Sequence, residues 1–350
     1  ARGKELLPPP DLLVSIYQAA AYAEVGNDPD TAKVARETAA ALGETPFRAG
    51  LQGNIPAPVL DFLGRALYRQ RWAVEALLRH KNSADATIAF LALSCSADEV
   101  DLIALDEQRL LKAPSVIAAL YMNPNARSST ALRAVELAAR NGVVVDIPGF
   151  EDIVASLSGV ALDAATDAKY QTAVEKNKAV APPEPEADAP VNLTQEDVER
   201  TQAAEEQKTL DAKTEEAKTR FEDLPVPHQI RLATLGTAFD RSIAIRSTIR
   251  TVAMAAIRSP AVRPNEVIKY ASNRALHEDV IRYIANKKEW AQLSSIRLAL
   301  VNNNKTPLGT ALRFLPFLHA RDLKTVSKSR QVPGPVVKAA KELMQKRESR

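Results

Sequence analysis

The residues of this chain that could do chemistry are few and scattered. Its four histidines, His80, His228, His277 and His319, lie far apart in the sequence. Only His277 has acidic company, standing directly before Glu278 and Asp279. No second His or Cys lies at metal-ligand spacing from it. Acids in the first turn of a helix complement the helix dipole, so the trio reads as a helix start. The single cysteine, Cys95, closes the apolar run from Phe90 and has no base nearby, so it reads as a buried, inert thiol, and no internal disulfide can form. Glu289-Trp290 reads as a packing tryptophan within a helix. Phosphate-binding glycine loops, the His-Glu-x-x-His zinc signature and the Gly-x-Ser-x-Gly nucleophile turn are all missing. The sequence therefore predicts a protein that is not an enzyme, with no catalytic residues, cofactor or metal.

Charge is more informative. With 46 Lys+Arg and 43 Asp+Glu the chain is nearly neutral, but its charges are sorted. Residues 1–180 carry 18 basic and 22 acidic side chains, residues 181–222 carry 5 and 12, and residues 223–350 carry 23 and 9. A strongly basic half attracts phosphate-rich partners. Within it Arg241, Arg246 and Arg250 recur near helical spacing, which puts at least Arg246 and Arg250 on one helical face. Arg282, Arg297, Arg313, Arg321 and Arg330 recur further on. These arginines, from Arg246 onward, are the candidate anion- or partner-binding residues. No aromatic interleaving of the kind that stacks single-stranded bases is evident among them.

The elements that must position these residues read as helices. Aromatics are only 5% and glycines 12, while Ala, Leu, Arg and Glu abound, and no stretch alternates apolar and polar strictly enough for a strand. Helix-sized pieces run from Asp11 to Val25, Thr31 to Leu42 and Thr130 to Arg140, the last stopped by Asn141-Gly142. Pro114, Pro307 and Pro335 suit first turns, where the missing N–H costs nothing, and Pro124 and Pro260 suit turns. Between the halves, Ala181 to Pro190 is Pro-rich and acidic, with little to bury. Thr194 with Asp197 opens a polar stretch to Phe221 that reads as a solvated helix or as disorder. This acidic connector could shield the basic half by charge.

Internal repetition organises the rest. Asp101-Leu102 aligned on Asp322-Leu323 pairs Arg109 with Arg330, Leu111 with Val332, Pro114 with Pro335, Val116 with Val337 and Ala118-Ala119 with Ala339-Ala340. Thr130-Ala131-Leu132-Arg133 matches Thr310-Ala311-Leu312-Arg313 in the same way. Breaks recur 43 residues apart from Asn82 to Asn125, and 44 apart from Ser259 to Asn303. A period of about 43–45 residues with two helices per unit lies in the HEAT range. Helix pairs apolar on both inner faces must stack to bury them. The expectation is an all-α solenoid of HEAT-like hairpins in two halves, 1–180 and 223–350, joined by the acidic linker 181–222. The polar end Lys346 to Arg350 suits a capping repeat.

The blocks Glu278 to Ala285, Ile296 to Leu300, Asn304-Lys305-Thr306-Pro307, Leu315-Pro316-Phe317-Leu318, Arg321-Asp322-Leu323 and Val332-Pro333 resemble the closing repeats of bacterial HEAT-like repeat proteins. Val59 to Leu63, Arg109-Leu110-Leu111 and Val135 to Gly142 extend the resemblance into the first half. It implies the fold and a bacterial setting, with no assigned activity and no site residues to carry over. Since no run approaches about 20 apolar residues and the start lacks a secretory hydrophobic region, the expected setting is the cytoplasm, without membrane partners. The function expected first is a protein-binding scaffold. Nucleic-acid or polyanion binding by residues 223–350 comes second, and a HEAT-like DNA glycosylase a distant third, since no catalytic carboxylate in an aromatic-lined pocket can be identified.

Overall fold

Helix is what the composition favours, and helix is what the chain forms. The computed structural model describes residues 9–25, 28–180, 213–329 and 332–348, and among these every regular element is a helix. Most of the acidic connector, 181–212, lies outside the described residues, and so does Arg330. No helix among the described residues is long and apolar enough to cross a membrane.

The chain divides into two compact units, Ala1–Phe150 with Leu157–Asp167, and Glu151–Ser156 with Ala168–Arg350. The first contains α1 (Pro9–Val25), α2 (Pro29–Ala40), α3 (Glu44–Gly50), α4 (Ala57–Leu67) and α5 (Arg71–Arg79). It continues with α6 (Asp85–Ser94), α7 (Ala97–Ala104), α8 (Glu107–Lys112), α9 (Pro114–Met122) and α10 (Ser128–Arg140). Helices α11 (Phe150–Ser156) and α12 (Ala164–Val180) contribute to both units. The second unit goes on with α13 (213–222), α14 (Val226–Leu235), α15 (Ala238–Ala244), α16 (Arg250–Arg258) and α17 (Pro264–Ser272). Then follow α18 (Glu278–Asn286), α19 (Lys288–Ala291), α20 (Ser294–Asn302), α21 (Leu308–Phe314), a 3₁₀ turn at Leu315–Phe317, α22 (Ala320–Lys328) and α23 (Gly334–Glu348).

Local chemistry sets many of these boundaries. Pro114 opens α9, where no partner for its nitrogen is needed. Helix α10 stops at Asn141 because Gly142 takes φ +68°, a left-handed conformation that costs glycine little. Along α10, Ala131, Leu132, Val135 and Ala138 are fully buried and share one face. Val280, Ile281 and Ile284 do the same along α18. Each large apolar side chain so buried contributes roughly 1.5–3 kcal/mol. Helix α13 lies within the acidic stretch and still packs, because Ala217 and Phe221, four apart, are both buried.

Helices in the first unit pack in a regular order. Helix α4 packs on α6 and α6 on α9, while α3 packs on α5, α5 on α7 and α7 on α10. In the second unit α14 packs on α16, α17 on α20 and α20 on α22.

One turn recurs at His80, Asn123, Ser259, Asn273 and Asn303. Each of these residues ends a helix with extended backbone, and the next helix has its N-cap four residues on. The side chain accepts a bond from the N–H two residues later, at 2.8 Å for Asn125 on Asn123 and for Ala275 on Asn273, and at 2.9 Å for Lys305 on Asn303. Such a side-chain turn replaces the next helical bond and redirects the chain. Three of the turns also tie back to carbonyls at the end of an earlier helix. Asn123 Nδ2 donates to the carbonyls of Ala92 and Cys95 at 2.8 and 2.9 Å. Asn303 Nδ2 donates to Ala271 and Asn273 at 2.8 and 3.1 Å, and Ser259 Oγ to Thr234 at 2.6 Å. In the turn at His80, Asn82 Nδ2 reaches the carbonyl of Ile55 at 2.8 Å.

Removing a buried donor leaves its carbonyls unsatisfied, so Asn123→Ala and Asn303→Ala should each lower stability by about 2–4 kcal/mol. Asn141→Ala, which removes an exposed amide bonded only within its own helix end, should cost less than about 0.5 kcal/mol. Urea midpoints of the three variants check this, and equal losses would sink it.

Candidate functional site

The candidate arginines of the basic half fall into three settings: Arg250 and Arg282 meet carboxylates, Arg297 and Arg313 lie by aromatic rings, and Arg246 and Arg321 are exposed. Arg246 and Arg250 do not share a helical face. Helix α15 ends at Ala244, and α16 begins at Arg250. The cause is local, since Ser247 Oγ accepts the N–H of Ile249 at 3.1 Å and turns the chain between them.

Arg250, at the start of α16, pairs with Asp279 in the first turn of α18. Arg282, one turn along α18, meets Glu278 at 2.6 Å and Asp279 at 3.9 Å. Among the described residues, Arg250 and Arg282 are the two candidates that share a carboxylate. Arg250 and Arg282 hold Asp279 below the usual carboxylate range, through the hydrogen bond and charge of Arg250 first. His277 stands at the N-cap of α18 with Nε2 at 3.2 Å from the Thr248 carbonyl. The His-Glu-Asp trio is thus a helix start whose acids hold the protein's own arginines.

Further along, the arginines meet aromatic rings instead of carboxylates. The Arg297 guanidinium bonds the carbonyl of Ala291 through Nε and lies 5.1 Å from the centre of the Phe317 ring. Arg313 lies 5.3 Å from the ring of its neighbour Phe314. Arg321 is exposed in the first turn of α22, and Arg246 is exposed too. Trp290 is buried, edge-on to Tyr283 at 6.0 Å, with the Lys287 ammonium 4.0 Å over its ring.

Sequence reasoning missed a buried polar cluster in the second unit. Arg241 donates to Glu266 twice, through Nε at 3.0 Å and Nη2 at 2.8 Å, and its Nη1 reaches the Gly236 carbonyl at 2.8 Å. Glu266 also accepts from the Arg263 N–H and from the Tyr270 hydroxyl at 3.1 Å. Burial pushes the Glu266 carboxyl up, but the fork of Arg241 and the other donors outweigh it and hold the group below its ordinary value. Alongside, Asp240 accepts from Asn177 Nδ2 and from the N–H and hydroxyl of Thr237, each at 2.8 Å. Burial raises the Asp240 carboxyl despite those bonds. The Thr237-x-x-Asp240 capping box was readable in sequence. The 25-residue gap between Arg241 and Glu266 left no signal for the other pairing.

In the first unit a cavity of about 450 Å³ lies among Tyr68, Arg69, Cys95, Ser96, Glu99 and Asn125. Cys95 is buried, its thiol donating to the Tyr68 carbonyl at 3.2 Å, and burial pushes it up to about 12. A thiol so protonated is no nucleophile near neutral pH. No cluster of three or more His, Cys, Asp or Glu suited to a metal occurs among the described residues. No protein-family model, curated protein or solved structure matches the chain.

The depressed Glu266 carboxyl sets a pH dependence. Below its ordinary value of 4.5 the unfolded chain takes up the proton first, so the stability this group contributes is present above that value and drains as pH falls through the folded one. Glu266→Gln should cost roughly 3 kcal/mol at neutral pH, by leaving Arg241 buried without its counter-charge. It should also flatten the acid limb of a melting-temperature profile below about pH 4.5. An unchanged acid limb would show that other carboxylates carry it.

Proposed function

We propose that the chain is an α-solenoid of HEAT-like hairpins that works as a binding scaffold for a protein partner, without catalysis of its own. The observation that carries this reading is the recurring turn, tied back to an earlier helix at Asn123, Ser259 and Asn303. His80 and Asn123 are 43 residues apart and Ser259 and Asn303 are 44 apart, each with the same backbone and the same N-cap spacing. Repeating units that bond mainly to their neighbours generate extended surface, and extended surface is what such proteins offer to partners. The succession α4, α6, α9 beside α3, α5, α7, α10 supports the same stacking.

A second reading, binding of a polyanion by the basic half, draws on the segment from Leu293 to Arg350, which holds 12 Lys+Arg and 3 Asp+Glu. Arg250 and Arg282 are engaged by Asp279 and Glu278, whereas Arg313 and Arg321 stand exposed. Polyanion affinity therefore rests on the later arginines.

The two readings part on salt. Affinity capture with the full chain, repeated with the purified candidate partner, should give saturable binding that survives a rise in salt. Hydrogen-exchange protection should then fall on successive hairpins. Failure to find any saturable protein partner overturns the scaffold. For the second reading, affinity for duplex DNA should fall steeply with salt. Arg313→Ala with Arg321→Ala should reduce the log–log salt slope by about two, while Arg250→Ala changes it little. No DNA binding at low salt overturns the second reading.

A further inference from the structure

The 3₁₀ turn at Leu315–Phe317 displays an aromatic ring, and several contacts act to keep it displayed. Leu315 and Leu318, three apart, are 0% and 2% exposed and anchor the turn, which forces the intervening positions outward. Phe317 is 60% exposed, the most exposed large apolar side chain described in the second unit. Arg347, on the last helix, clamps the turn by donating to the Leu318 carbonyl at 2.9 Å and to the Pro316 carbonyl at 2.6 Å. Arg297 lies over the ring, its guanidinium held by the Ala291 carbonyl. Arg313 and Arg321, both exposed, lie four residues before and four after Phe317.

Leaving a phenylalanine exposed forfeits burial energy that the fold could have used. Spending a bidentate arginine to fix the backbone beneath it points to a ring that meets something. The partner's chemistry follows from the surroundings. A helical peptide would need a row of apolar anchors. The other exposed large apolar residues of this unit, Ile249, Leu293 and Leu308, are each less than half exposed and stand at the starts of three different helices. A single ring with a guanidinium over it and an exposed arginine four residues away on either side in sequence suits one flat, electron-rich base carried on a phosphate chain. A duplex keeps its bases stacked on each other and offers none to the ring.

We infer that the turn at Phe317 is a stacking platform for single-stranded nucleic acid, with one base on the ring and flanking phosphates drawn by Arg297, Arg313 and Arg321. This rests on the polyanion reading and adds strand selectivity to it. The test is fluorescence anisotropy of the full chain with a labelled oligothymidylate of about 16 nucleotides, beside a duplex of the same length. The single strand should bind more tightly than the duplex. Phe317→Ala should weaken it roughly ten-fold while leaving the duplex and the melting temperature unchanged, as an exposed ring allows. Phe317→Trp should retain binding, and Phe317→Leu should not. Unchanged single-strand affinity in Phe317→Ala, or full affinity in Phe317→Leu, overturns the stacking platform and leaves polyanion binding standing. Polyglutamate competing as strongly per charge as the oligonucleotide also overturns it, in favour of an acidic protein. Absence of any binding by the unaltered chain overturns both.

Discussion

A helix of nine residues is mostly ends. The last four carbonyls of any α-helix lack partners within it, so in α5, α9, α16, α17, α18 and α20, each nine residues long, nearly half the acceptors must be satisfied from elsewhere. The tied turns meet part of this demand, at the ends of α6, α14 and α17. One asparagine stops its own helix, begins the turn and gives its amide to the orphan carbonyls of an earlier helix, as Asn123 does for Ala92 and Cys95. The packing of apolar faces then follows, because a helix whose start and end are fixed by bonds has only one face left to turn inward. Thr306, bonded to the Leu300 carbonyl at 2.6 Å, and Ser83, bonded to Leu77 at the same distance, close the same turns from the other side.

The protein's acids fall into two kinds. Asp279, Glu278 and Asp152 sit at or near the surface and hold Arg250, Arg282 and Arg258. Such pairs contribute little stability, since water screens them, but they fix where positive charge does not project. Asp240 is buried and Glu266 half-buried, and both accept several hydrogen bonds. There the charges are costly unless paired, so they specify which surfaces of α12, α15 and α17 meet. Positive charge remains concentrated towards the end of the chain because acids of both kinds are scarce there.

Features governed by neighbouring residues were legible in the sequence. The end of α10 at Asn141-Gly142, the start of α9 at Pro114 and the buried, inert Cys95 all follow from chemistry within a few positions. The reading failed where one local hydrogen bond overrode a period, as Ser247 did in separating Arg246 from Arg250. It was silent where partners are distant in sequence, as with Arg241 and Glu266 or Arg220 and Asn177. Phe317 was hidden for another reason. Leu315-Pro316-Phe317-Leu318 reads as uniformly apolar, and only the three-residue period of a 3₁₀ turn assigns its first and last members to the core and the ring to solvent.

The bond from Asn177 to Asp240 spans 63 residues, whereas the tied turns span 25 to 32. The entropy of closing a loop grows only with the logarithm of its length, about 0.6 kcal/mol for each doubling. The acidic stretch enclosed by that bond can thus lengthen or shorten between related chains at almost no thermodynamic penalty. The tied turns have no such latitude, because an inserted residue there would move an amide off its carbonyls. Insertions and deletions among descendants of this sequence should accordingly gather between Asn177 and Lys213 and avoid the stretches that the asparagines measure out.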